Sequence, residues 1–124
     1  PHGFAAVINL VHGDGEQSRD FTFVEDVAAL CLKAARAPGV SGRMFNAGNG
    51  GRFTLNETWR LLCAIEGVSI EPEYGPERPG DVRHSQADVS AAVEQLGHSP
   101  RFSFEQGLRA TLEWCRTEFE TVKS

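Results

Sequence analysis

The chain has 124 residues, with 12 Lys and Arg against 17 Asp and Glu for a formal net charge of −5, and it is 40% hydrophobic and 23% charged. That length supports one modest core, so a single domain over residues 1–124 is expected, with no second large domain beside it. The composition excludes the disordered and membrane classes, and the acidic balance argues against a surface that tracks a nucleic-acid backbone, so any anion binding must rest on a few local arginines.

In chain order, residues 5–11 form an apolar run short enough for a strand, with a helix remnant equally allowed by periodicity, and Gly13-Asp14-Gly15-Glu16 reads as a turn. Residues 19–24 alternate Phe21 and Phe23 with Asp20 and Thr22, which predicts a half-buried strand. Residues 26–37 switch to helical spacing with Val27, Leu30, Cys31 and Ala34 on one face, and Pro38-Gly39 ends that helix. A second strand is expected at 44–47. A helix follows at 55–66, opened by the capping box of Thr54 and Glu57 and stopped by Gly67. Residues 69–74 read as a third strand, followed by a polar loop over 75–84 stiffened by Pro76 and Pro79. Asp88 can cap a helix that Gly97 closes, and Ser103 with Gln106 caps a final amphipathic helix to about Val122, with Leu108, Leu112 and Cys115 on one face and Trp114 beside it. The expected architecture is a small α/β domain: a small mixed sheet of about three short strands with about four helices.

Cys31, Cys63 and Cys115 are odd in number and widely spaced. They are predicted to be small buried apolar side chains in a reducing compartment, without disulfide or metal use. No run approaches the roughly 18 apolar residues of a membrane span, and Pro1-His2-Gly3 does not open a secretory signal. A soluble, cytoplasmic protein is expected, with neither membrane nor nucleic acid as partner.

Two glycine clusters invite a dinucleotide-binding reading. The third glycine of GxGxxG would fall on Ser18 after Gly13-Asp14-Gly15 and on Phe53 after Gly48-Asn49-Gly50, so neither fits. The four histidines (His2, His12, His84, His98) show no metal-ligand or triad spacing. The only tyrosine, Tyr74, is followed four residues on by Arg78, so Tyr-x-x-x-Lys is absent. No catalytic residue and no metal ligand is assigned. What stands out is Arg19 directly after a glycine turn, and Arg78 with Asp81 on a proline-stiffened loop. Two guanidinium forks converging from separate loops suit a diphosphate, and Asp81 could accept from sugar hydroxyls. The alternative is that the two arginines form surface ion pairs with Asp20, Glu77 or Asp81.

Residues 13–28, GDGEQSRDFTFVEDVA, resemble the GDGxQxRDFxxVxDVA signature of the NAD-dependent epimerase/dehydratase family, the extended short-chain dehydrogenases that act on nucleotide sugars and include UDP-glucose 4-epimerase-like enzymes. Phe45-Asn46-Ala47-Gly48-Asn49-Gly50 is similar to the family's FNxGxG turn. Residues 78–88 are similar to its RPGDxxHSxAD segment, and Leu96-Gly97 through Gly107-Leu108 to Trp114 to its C-terminal helices. The resemblance covers residues 13–116. It implies that Arg19 and Arg78 hold the diphosphate of a UDP- or dTDP-sugar, that Asp81 contacts the ribose, and that Asn46 with its glycines is structural. The family's NAD-binding half, with its glycine fingerprint and Tyr-x-x-x-Lys, has no counterpart in these 124 residues, so no cofactor is assigned to this chain, although NAD serves the parent family. Residues 1–12 resemble a shortened lead into the signature, short of about one helix that helps wall the nucleotide pocket.

Three functions follow as expectations. The first is a truncated nucleotide-sugar-binding domain that binds weakly and is not catalytic alone, because a half-open site buries less of its ligand. The second is an interaction or structural domain without a small ligand, forming a homo-oligomer to cover exposed apolar surface. The third is one half of a split NAD-dependent epimerase.

Overall fold

The computed structural model describes residues 10–121. The α/β class is as expected. The element order is β1 (Leu10–His12), β2 (Ser18–Arg19), α1 (Val24–Arg36), β3 (Phe53–Thr54), α2 (Leu55–Glu66), β4 (Glu73–Gly75), α3 (Ser90–Leu96) and α4 (Phe104–Thr121). The described residues divide into two compact units, 10–20 with 51–86 and 21–50 with 87–121.

The first unit carries two short ladders. β1 pairs in parallel with β4, Val11 opposite Tyr74, and β2 pairs antiparallel with β3, Ser18 opposite Thr54 and Arg19 opposite Phe53. α2 begins and ends where its sequence signals lie. The Thr54 hydroxyl accepts from the Glu57 amide at 3.0 Å, and the Glu57 carboxylate accepts from the Thr54 amide at 2.7 Å. Gly67 closes the helix in the left-handed region at φ 67°. Trp59 donates from Nε1 to the Ile70 carbonyl at 2.7 Å, which ties the chain after α2 back onto the helix.

The second unit has its core in Leu30, Ala92 and Leu96, with Ala34, Ala37, Val40 and Phe45 packed against them. Asp26, in the first turn of α1, is buried and accepts from the backbone amides of Arg101 at 2.8 Å and Phe102 at 3.2 Å. A carboxylate there also sits favourably at the positive end of the helix. Buried His98 donates from Nε2 to the Gly48 carbonyl at 2.7 Å, which fixes its tautomer and holds the 45–50 segment. At the start of α4, Ser103 and Gln106 form the expected reciprocal cap, at 3.2 and 2.9 Å. Phe21 and Phe23 meet Phe104 and Phe102 with ring centroids 5.3 and 4.6 Å apart.

Several expectations are corrected. The strand predicted at 19–24 is only Ser18–Arg19, because its partner β3 ends after two residues where α2 begins. The period-2 alternation of Phe21 and Phe23 therefore reflects extended chain packed on α4 rather than a ladder. α1 starts at Val24 and ends at Arg36, so the predicted 26–37 helix begins two residues earlier and ends one residue earlier. No strand forms at 44–47, where Met44 is 95% exposed. That segment is held instead by a side chain, Asn46 Nδ2 donating to the Asp88 carbonyl at 3.0 Å. The third strand lies at Glu73–Gly75 rather than 69–74. Of the apolar run at 5–11, left open between strand and helix remnant, residues 5–9 lie outside the described residues, and residues 10 and 11 belong to the strand β1. Asp88 serves α3 from one residue before its N-cap Val89, accepting from the Ser90 amide at 3.0 Å and the Ser90 hydroxyl at 2.6 Å. The cysteines are free but not buried as expected: Cys31 is exposed, and Cys63 and Cys115 are half-buried. α1 covers only the Leu30 stripe, so the neighbouring position stays in solvent. No helix among the described residues is long and apolar enough to cross a membrane.

Candidate functional site

The site lies in the first unit and starts from the turn after β1. Gly13 and Gly15 take positive φ of 82° and 75°, and Asp14 accepts from the Glu16 amide through Oδ1 at 3.0 Å. Buried Gln17 donates to the His12 carbonyl at 2.5 Å. The turn is seated on α2 by Asn56, whose backbone amide donates to the Gly15 carbonyl at 3.0 Å. Its side-chain amide donates to the Asp14 carbonyl at 3.0 Å and to Glu16 Oε1 at 2.5 Å, while Oδ1 accepts from the Tyr74 hydroxyl at 2.9 Å. A methyl group on Gly15 would stand 2.0 Å from Asn56 Oδ1, so the turn's backbone has to approach α2 without a side chain.

The loop after β4 is stitched to this turn and to β2 at both ends. On one side the Gly13 amide donates to Gly75 O at 3.0 Å, and His12 Nδ1 donates to Pro76 O at 3.3 Å. On the other, Ser18 N donates to Arg83 O at 2.9 Å and Ser85 N to Ser18 O at 3.0 Å, a parallel bridge between Ser18 and His84. The buried Ser18 hydroxyl also bonds His84 Nδ1 at 2.8 Å. Between these stitches the Asp81 amide closes onto Arg78 O at 3.1 Å, with Gly80 at φ 79° completing the turn.

Two of the three predicted site residues meet directly. Arg19 Nη2 donates to Asp81 Oδ1 at 2.5 Å and Nη1 to the Ser18 carbonyl at 2.8 Å, with side chains 29% and 40% exposed. The surface ion-pair alternative is therefore realised for Arg19, and the pair also fixes where its guanidinium sits. Arg78 lines a recess of about 70 Å³ together with Asp81, Gly13, Gln17 and Arg83. Its guanidinium has no ionic or hydrogen-bond partner among the described residues. Asp81 is thus the link, bonded to one arginine and sharing a recess with the other.

Reading the sequence missed Arg83 and Asn56. Arg83 donates bidentately to Asp14, Nη1 to Oδ1 at 3.0 Å and Nη2 to Oδ2 at 2.9 Å. That bond, aided by the Glu16 amide, holds the Asp14 carboxyl below its ordinary value, and Asp14 in turn raises the Arg83 guanidinium above its own. Their 69-residue separation leaves no local signal.

Among the described residues, neither the Gly15 turn nor the N-terminus of α2 fits a dinucleotide. Gly15 is backed by Asn56, and the N-terminus of α2 is filled by the Thr54 hydroxyl and the Glu57 carboxylate. The Thr54 amide holds that carboxyl below its ordinary value, and an acidic group in this place disfavours a pyrophosphate. Among the described residues no group of three or more His, Cys, Asp or Glu is placed to hold a metal ion.

Residues 7–48 match the model of the NAD dependent epimerase/dehydratase family. A UDP-glucose 4-epimerase of Mycolicibacterium smegmatis is 32% identical over 130 residues, covering 95% of this chain and 41% of that protein. A UDP-glucuronate 4-epimerase of Thermodesulfobacterium geofontis is 31% identical over 115 residues, covering 92% of this chain and 35% of that protein. Among solved structures, UDP-glucose 4-epimerase of Thermotoga maritima with UDP-glucose superposes with a TM-score of 0.83 at 40% identity, covering 89% of this chain and 35% of that one. The chain therefore spans well under half the length of these relatives.

Proposed function

We propose that this chain, which belongs to the NAD-dependent epimerase/dehydratase family, is a nucleotide-sugar-binding segment whose Arg19 and Arg78 hold the diphosphate of a UDP- or dTDP-sugar. Asp81 accepts from the ribose hydroxyls. The observation that carries this reading is the loop over 76–83, which brings Arg78 into one recess with Asp81 while Asp81 holds Arg19. Planar guanidinium forks match phosphate oxygens, and an unpaired Arg78 is available to an anion without breaking an existing bond. The recess, about 70 Å³, falls well below the roughly 300–1,000 Å³ of a pocket that encloses a small ligand. The diphosphate is therefore held at the surface, binding is weak and salt-sensitive, and these residues alone supply neither a hydride acceptor nor a tyrosine base. Titration of UDP-glucose by calorimetry tests the reading. A dissociation constant that weakens as salt rises, and that is lost in Arg78→Ala, supports it. No heat at millimolar ligand, or undiminished binding in Arg78→Ala, overturns it.

A second reading is favoured by the other unit. Phe21, Phe23, Phe104, Leu108 and Trp114 line an open, largely apolar groove of about 750 Å³, with Trp114 62% exposed. Exposed apolar surface of this kind favours self-association. Light scattering at micromolar concentration tests it: a stable homo-oligomer supports an interaction role, and a monomer defeats it.

A further inference from the structure

Resting on the diphosphate reading above, we propose that Asp14, acting through Arg83, is a positioning residue that orders the arginine-bearing loop and so sets its affinity for a nucleotide diphosphate. Residues 77–83 are all exposed and belong to no regular element. Hydrogen bonds fix the loop's ends: the Gly13 amide and His12 Nδ1 hold the Gly75 and Pro76 carbonyls on one side, and Ser18 holds the Arg83 carbonyl and the Ser85 amide on the other. Between these ends lie the Asp81-to-Arg78 turn and the Arg19 contact, and the Arg83 side chain, at the loop's second end, adds a tether, the bidentate pair with Asp14.

The other end of that tether is rigid. Asp14 sits in a turn whose Asp14 and Gly15 carbonyls both accept from Asn56 on α2. Two parallel bonds to a planar fork fix orientation as well as distance, which one point contact does not. Both side chains are half-exposed, so the pair adds little to global stability and acts on local order. A loop already held in its binding geometry does not spend association free energy on being ordered.

The sign of the effect separates positioning from simple charge. By Coulomb's law, removing the Asp14 carboxylate would strengthen the binding of an anion; if Asp14 positions the loop, removing it weakens binding. Asp14→Asn keeps Oδ1 for the Glu16 amide and gives up the paired carboxylate. Arg83→Lys keeps the cation and gives up the fork. UDP-glucose is titrated into the 124-residue chain and both variants, and amide hydrogen exchange is followed at Asp81. The expected result is binding about three- to tenfold weaker in both variants, with faster exchange at Asp81 and an unchanged melting temperature. Wild-type binding with equal or tighter binding by Asp14→Asn overturns the positioning role and leaves the diphosphate reading standing. Absence of wild-type binding overturns the diphosphate reading and the affinity role with it, while unchanged exchange at Asp81 overturns the ordering of the loop on its own.

Discussion

Gly15→Ala tests whether the turn after β1 is built on α2 through close backbone approach. Gly15 sits at φ 75°, where a side chain costs about 1–2 kcal/mol. The added methyl would also stand 2.0 Å from Asn56 Oδ1. Asn56 must then move, and with it the bonds to the Asp14 carbonyl, Glu16 and the Tyr74 hydroxyl. At about 1 kcal/mol for each of two or three bonds, the combined loss is roughly 3–5 kcal/mol. For a chain of this size that lowers the melting temperature by roughly 10–20 °C. Gly80→Ala is the control, because Gly80 has φ 79° but no atom within 4 Å of an added methyl. It should lose only the conformational part, about 1–2 kcal/mol. Urea unfolding followed by circular dichroism measures both. Equal losses in the two variants would refute the claim that Asn56 is what the turn is packed against.

Thr54→Ala should cost about 1 kcal/mol by uncapping α2, whereas Thr54→Ser should cost far less, and urea midpoints compare them. Asp26→Ala should cost about 2–4 kcal/mol, because the Arg101 and Phe102 amides lose a charged acceptor in a buried place; a loss below about 1 kcal/mol would show that water replaces it. The lowered carboxyls of Asp14, Glu57 and Asp88 give a pH dependence of defined sign. Their folded values lie below the ordinary 3.8, 4.5 and 3.8, so the unfolded chain binds more protons in that range, and stability is full above about pH 5 and falls as pH drops through the folded values. Urea midpoints at pH 7, 5 and 3.5 should be level and then fall. A midpoint that rises from pH 5 to 3.5 would contradict the shifts.

The parts legible in the sequence are those whose physics is local. The signals at Thr54, Glu57 and Gly67 bound α2 to the residue, and Ser103 with Gln106 starts α4, because caps join groups three or four residues apart. Arg19, Arg78 and Asp81 could be singled out as residue types suited to a diphosphate, each beside a turn residue. What only the tertiary structure decided is which groups meet. A strand exists only where a partner ladder does, so alternation at 19–24 stops being a strand once β3 ends at Thr54. Helical spacing marks a stripe, and the surface packed against it decides whether Cys31 lies inside or in solvent. The Arg19–Asp81 pair spans 62 positions, the Asp14–Arg83 pair 69, and the Asn56 bond to the Asp14 carbonyl 42. No periodicity encodes contacts at such separations. The sequence by itself determined the helix ends and the chemistry available to the site, while the chain's return from β4 past β2 decided that one carboxylate, Asp81, would hold one arginine and share a recess with the other.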